Sequence, residues 1–150
     1  MTNSKFLKAV IAGIVATAIM TVVGVMAPYM GLPKMNPAEM LSGMLGVSLA
    51  LGWIMHFMVG IIFASAYVYW FDPTVRINNA FWKGLVFGLA VFVFAQMMMF
   101  LMGMFITMPT PENPMLMMLG SLIGHFVYGV FVAWVVSWLS VRTDHPATAR

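Results

Sequence analysis

Cysteine is absent from the 150 residues, which removes disulfides, thiolate metal sites and iron–sulfur ligation from consideration. Charge is scarce as well. Seven Lys/Arg and four Asp/Glu make up 7% of the chain, against about 25% in a soluble domain. So few charges cannot solvate a globular surface, keep a chain disordered or build the basic face that nucleic acid requires. They also fall short of a polybasic lipid-binding patch, which wants clusters of roughly 4–8 cations. The four carboxylates, Glu39, Asp72, Glu112 and Asp144, all stand outside the long apolar stretches or at their ends. No Ser-His-Asp set, HExxH, CxxC or Gly-rich phosphate loop appears, so the chain reads as non-enzymatic. A polar pore lining is missing too, with only Thr17, Thr21, Ser65 and Gln96 to supply one.

What is present is apolar. Hydrophobic residues account for 63% of the chain, and the mean hydropathy is +0.98. Four stretches, 9–32, 46–71, 84–111 and 113–141, contain no Asp, Glu, Lys or Arg. A membrane-crossing helix needs about 20 apolar residues, and lipid forces the backbone to satisfy its own hydrogen bonds. The expectation is a single integral membrane domain over 1–150, an all-α four-helix transmembrane bundle. Its spans are expected near 9–31, 47–71, 82–107 and 115–140. Prolines 28, 33 and 37, Asp72-Pro73, and prolines 109, 111 and 114 punctuate the turns. Residues 37–46 are too short to span. They read either as a short interfacial helix or as an early start to span two. The first apolar run exceeds the roughly 7–15 residues of a signal-peptide core, so it reads as an uncleaved span.

Orientation follows from the cations. Lys5, Lys8, Arg76, Lys83, Arg142 and Arg150 fall on one side and Lys34 alone on the other. Both termini and the middle loop are therefore expected in the cytoplasm. Trp70, Trp82 and Trp138 lie near the same interface, where indole rings prefer to sit.

The chain also repeats. Gly52–Ala64 and Ser121–Ala133 share the pattern small-x₃-His-Phe-x₂-Gly-x₃-Ala at a constant offset of 69 residues. Each half holds two spans, so the halves enter the membrane in the same direction. The predicted arrangement is two parallel two-helix repeats about an axis along the membrane normal, unlike inverted-repeat transporters.

Within the repeat, His56 and His125 are the only mid-span side chains that titrate near neutral pH. Each lies in a four-residue stripe: Gly52, Gly60 and Ala64 beside His56, and Ser121, Gly129 and Ala133 beside His125. Three readings compete. The small residues are helix-packing positions and the histidines are hydrogen-bonded glue between helices. Alternatively, His56 and His125 are the two axial ligands of a haem b, with no other cofactor required. Or they belong to a proton or metal pathway.

Methionine is abundant, at 18 residues, and gathers at 97–99, 102, 104 and 108 and again at 115, 117 and 118. Met98 and Met102 are four apart, a spacing that suits Cu(I), since soft thioethers select that ion. The competing reading is adaptable apolar surface for packing, lipid or a partner.

The segments 27–36 (APYMGLPKMN), 51–64 (LGWIMHFMVGIIFA) and 118–129 (MLGSLIGHFVYG) resemble a family of small bacterial four-span membrane proteins classed as a domain of unknown function. The resemblance covers nearly the whole chain. It implies a four-helix inner-membrane protein and carries no assigned activity. The functional expectation is a non-catalytic accessory or interaction subunit. It would sit in the lipid bilayer and stabilise a larger complex, respiratory by preference, or a homo-oligomer. Haem b electron transfer and Met-rich copper or small-solute permeation are the alternatives.

Overall fold

The computed structural model describes residues 2–106 and 112–144, with side chains described for 5–106 and 112–141. Helix α1 runs over Thr2–Met26 and ends in a 3₁₀ turn, Ala27–Met30. Helix α2 covers Pro37–Leu45, α3 Leu49–Ala66, α4 Ala80–Gly103 and α5 Pro114–Asp144. No strand occurs among the described residues. Four helical segments, Lys5–Met30, Leu49–Thr74, Ala80–Gly103 and Pro114–Val141, are long and apolar enough to cross a membrane.

Local chemistry sets the helix starts. Asn36 Oδ1 accepts from the backbone N–H groups of Ala38 and Glu39, with Pro37 in the first turn of α2. Asn79 does the same for Phe81 and Trp82 at α4. Asn113 accepts from Leu116 N–H at the start of α5. Each such cap satisfies donors that a helix start otherwise leaves unpaired, for about 1 kcal/mol. Gly46 ends α2 at φ 64°, a left-handed conformation that costs a side chain dearly and glycine little. That turn separates α2 from α3, so 37–46 is a helix of its own and not the beginning of span two. Helix α1 begins at Thr2, well before the expected residue 9. Lysine is a good helix former, so Lys5 and Lys8 extend the helix and do not stop it.

One feature has no counterpart among the expectations. Helix α3 continues through a π-helical turn, Tyr67–Phe71, and a final turn, Asp72–Thr74. The Asp72 N–H bonds the carbonyl of Tyr67, five residues back. Pro73 follows, lacking an N–H and crowding the carbonyl four residues earlier, which accounts for the widened turn. Tyr67, Val68 and Phe71 are all buried by it.

Around the bundle, α1 packs against both α3 and α5, and α5 packs against α4. Helices α3 and α4 meet through aromatic rings. Phe63 faces Phe94 at 5.5 Å, and Phe87 meets Tyr67 at 4.9 Å and Phe71 at 5.0 Å. Edge-to-face pairs of this kind add about 0.5–1.5 kcal/mol each beyond the area they bury. Helices α3 and α5, which carry the histidines, lie across the bundle from one another. Tyr128 spans that diagonal, its hydroxyl donating to the Gly60 carbonyl at 2.5 Å.

Candidate functional site

The site is built from two helix seams. In the first, α1 presents Gly13, Thr17 and Thr21 at four-residue spacing to the stripe of α3. A Cβ on Gly13 would stand 2.7 Å from Ile61 Cα, so the backbones are already in contact. At Gly60, Thr17 Oγ1 occupies the place a side chain would take. Thr17 is 1% exposed, and its hydroxyl has no hydrogen-bond partner among the described residues. Its oxygen rests on the glycine backbone instead, a weak C–H contact at most.

One turn further, Thr21 Oγ1 lies 3.1 Å from His56 Nε2. Thr21 donates its only hydroxyl proton to the Thr17 carbonyl at 2.8 Å. It must therefore accept from His56, which places the imidazole proton on Nε2. His56 is 8% exposed, so this bond satisfies a buried polar group across a helix contact.

In the second seam, α4 presents Gly84, Gly88, Phe92 and Gln96 to α5. Here backbone meets backbone. A Cβ on Gly84 would stand 2.5 Å from Val130 Cα, and one on Gly129 would run into the Gly84 carbonyl and the Gly88 backbone. His125 turns back onto its own helix, with Nδ1 2.7 Å from the Ser121 carbonyl. A carbonyl only accepts, so the proton sits on Nδ1, the opposite tautomer to His56. Across the seam His125 meets the edge of Phe92 at 5.8 Å. Gln96 Nε2 stands 3.5 Å from Ser121 Oγ, at the limit of a hydrogen bond.

The structure thus sorts the predicted residues. Gly60 faces α1 and Gly129 faces α4, each with no room for a Cβ. Ala64 and Ala133 are buried in the core. Gly52 serves a different neighbour: a Cβ there would strike the carbonyl of Ala38, so it admits α2 and not another span. Ser121 holds His125. Neither histidine has the other as a hydrogen-bond partner; each has its own, Thr21 or Ser121. Met98 is exposed and Met102 half-buried on α4, while Met108 lies outside the described residues. Among the described residues, no group of three or more His, Cys, Asp or Glu side chains gathers as a metal site would require. Clefts of about 380 and 200 Å³ sit at opposite ends of the bundle, and neither is lined by a histidine.

Sequence reasoning missed Thr21 as the partner of His56. The signal was available, because Gly13, Thr17 and Thr21 form a four-residue stripe of the same kind as the one around His56. It also missed Tyr67, Asp72 and Lys83 as a cluster. Lys83 Nζ is 2.9 Å from Asp72 Oδ1, and Tyr67 lines the same cleft.

The model of one protein family, described as a family of unknown function (DUF6789), matches residues 3–147. The chain belongs to this family. The match takes in both seams and all four apolar helical segments, so the histidine stripes lie within the family's own domain. No curated protein matches the chain, and no solved structure does.

Proposed function

We propose that this chain is a non-catalytic helical unit of the bacterial inner membrane, with both termini in the cytoplasm, that stabilises a larger membrane complex. The observation that carries the reading is the use made of the histidines. Each imidazole spends its proton on a bond inside the bundle, to Thr21 or to the Ser121 carbonyl. That is the chemistry of helix glue, not of a poised acid, base or ligand. The parallel-repeat reading has support in the contacts. Gly13 with Ile61 and Gly84 with Val130 are matching approaches, and so are the pairs Thr21–His56 and Phe92–His125. For the partner surface, the end of α4 and its cap offer Phe100 and Met104, 71% and 66% exposed, near the end of the bundle that carries α2.

A haem b held by both Nε2 atoms would require His56 to exchange its tautomer and release Thr21. A Cu(I) path would use Met98 and Met102 on the flank of α4. One preparation separates these readings. The full chain is tagged, taken from native membranes in mild detergent, and examined by visible spectroscopy and mass spectrometry. The expected result is a colourless sample carrying a stoichiometric membrane partner. A sample that is monomeric and partnerless overturns the accessory reading. A reduced b-type α-band that vanishes in His56→Ala replaces it with electron transfer. Copper uptake into liposomes that is lost on Met98→Leu/Met102→Leu replaces it with permeation.

A further inference from the structure

The connection from α1 to α3 lies across the end of the bundle where α1 stops, and it is built as one piece. Gly31, at φ 76°, and Gly46, at φ 64°, bound it; they are the only left-handed residues among those described. Between them, residues 32–45 are bonded to one another. Asn36 Oδ1 accepts from the Ala38 and Glu39 N–H groups, Ser42 Oγ donates to the Glu39 carbonyl at 3.0 Å, and Lys34 pairs with Glu39 at 3.2 Å. Each of these bonds stays inside the segment and travels with it.

Three different helices seat this strap, and each offers it a glycine. A Cβ on Gly24 of α1 would stand 3.0 Å from the Met35 carbonyl oxygen. One on Gly120 of α5 would stand 2.8 Å from Met35 Sδ, and one on Gly52 of α3 would strike the Ala38 carbonyl. Such seats supply room for close packing and no hydrogen bond. Within 32–45 only Ala38 is buried. A segment with so few buried apolar contacts opens at low cost. Gly24 lies one turn beyond Thr21, Gly52 one turn before His56, and Gly120 just over a turn before His125. The strap therefore covers the layer in which Thr21 accepts from His56 at 3.1 Å. Beside it, the cleft of about 380 Å³ runs between Gly31, Leu32 and Pro33 and the start of α5, so open space reaches the first hinge.

We propose that residues 32–45 form a lid, hinged at Gly31 and Gly46 and latched by Met35 over Gly120, that decides when water and small solutes reach the Thr21–His56 layer. Closed, the lid keeps that bond dry. Lifted, it lets water compete for Thr21 and loosens the seam between α1 and α3, whatever complex the chain serves. The test follows His56 itself. The full chain in mild-detergent micelles is treated with diethyl pyrocarbonate, and carbethoxylation of His56 is timed by peptide mass spectrometry. Gly52→Ala, whose methyl group strikes the Ala38 carbonyl, should unseat the lid and speed labelling about tenfold, the factor for about 1.4 kcal/mol of lost seating. Gly43→Ala adds a methyl group on α2 where nothing lies within 4 Å, and should leave the rate within about twofold. The chain has no cysteine of its own, so Met35→Cys/Gly120→Cys places its only two thiols across the latch. Joined as a disulfide, they should hold labelling about tenfold or more below the reduced form. Equal rates in the oxidised and reduced forms overturn the proposal, and so does failure of the two thiols to join. A Gly52→Ala chain with native helix content that labels at the wild-type rate overturns it as well. Should Gly52→Ala not fold, the cysteine pair, which leaves Gly52 in place, decides alone.

Discussion

Two seams hold this bundle, and they solve one packing problem in different ways. Between α1 and α3, side chains do the joining. Thr17 fills the space over Gly60, and Thr21 accepts from His56. Between α4 and α5, the places of Thr17 and Thr21 are taken by Gly88 and Phe92. The backbones close directly on one another, and His125 is left to bond its own helix. The same histidine motif thus becomes an interhelical tie in one half and an intrahelical one in the other. What decides is the residue on the facing helix, not the motif itself. In a bilayer this difference matters, because lipid is as apolar as leucine and helix association must come from close packing and hydrogen bonds.

The largest expected break in the comparison is at the glycines. Gly129→Ala has nowhere to place its methyl group, since α4 backbone surrounds it. It should cost about 3 kcal/mol or more, by the general cost of overpacking. Gly60→Ala meets the Thr17 hydroxyl, a side chain that can turn away, and should cost about 1–2 kcal/mol. Reversible unfolding in mixed micelles, followed by circular dichroism, ranks the two. If Gly60→Ala proves the more damaging, the backbone-on-backbone account of the second seam fails.

Hydrogen bonds come next. Thr21→Val removes the acceptor of a buried imidazole N–H and should cost about 0.6–1.7 kcal/mol, the span measured for such bonds in membranes. Thr17→Val should be close to neutral, because that hydroxyl has no partner to lose. A double-mutant cycle of Thr21→Val with His56→Ala should return most of the Thr21→Val cost as coupling energy. The cycle of Gln96→Leu with Ser121→Ala should return almost none, since those atoms stand 3.5 Å apart.

The smallest effects are at the caps, which also differ between the halves. Asn36 serves two N–H groups and Asn113 one. Asn36→Ala should cost about 1 kcal/mol and Asn113→Ala about half that, read on the same unfolding scale. Equal losses would mean that cap chemistry does not distinguish the two halves.

Much of this was legible in advance. The apolar stretches announced four helical segments apolar enough to cross a membrane; α4 starts at Ala80 and α5 at Pro114, against 82 and 115 expected, while α1 starts at Thr2 against 9. The stripes around His56 and His125 marked the packing faces, because four-residue spacing on a helix defines one face whatever lies opposite. The register of the π-helical turn was not legible, since Asp72-Pro73 reads equally well as an ordinary helix stop. The element facing Gly52, helix α2, was not legible, because a small residue reports that something approaches closely without saying which element it is.

Composition and periodicity alone determined that this chain is all helical and that four of its segments are long and apolar enough to cross a membrane. Those properties depend on each residue's own chemistry and its neighbours a turn away. Partnership depends on the facing helix, and only the tertiary structure supplied it. The diagonal placement of α3 and α5 kept the two histidines from bonding one another. The antiparallel register of α1 on α3 gave His56 its threonine. The meeting of the π-helical turn with α4 and α5 turned scattered residues, Asp72, Lys83 and Ser140, into one polar cleft. Sequence separation carries no such information, because residues 68 or 132 positions apart become neighbours only when the helices choose their sides.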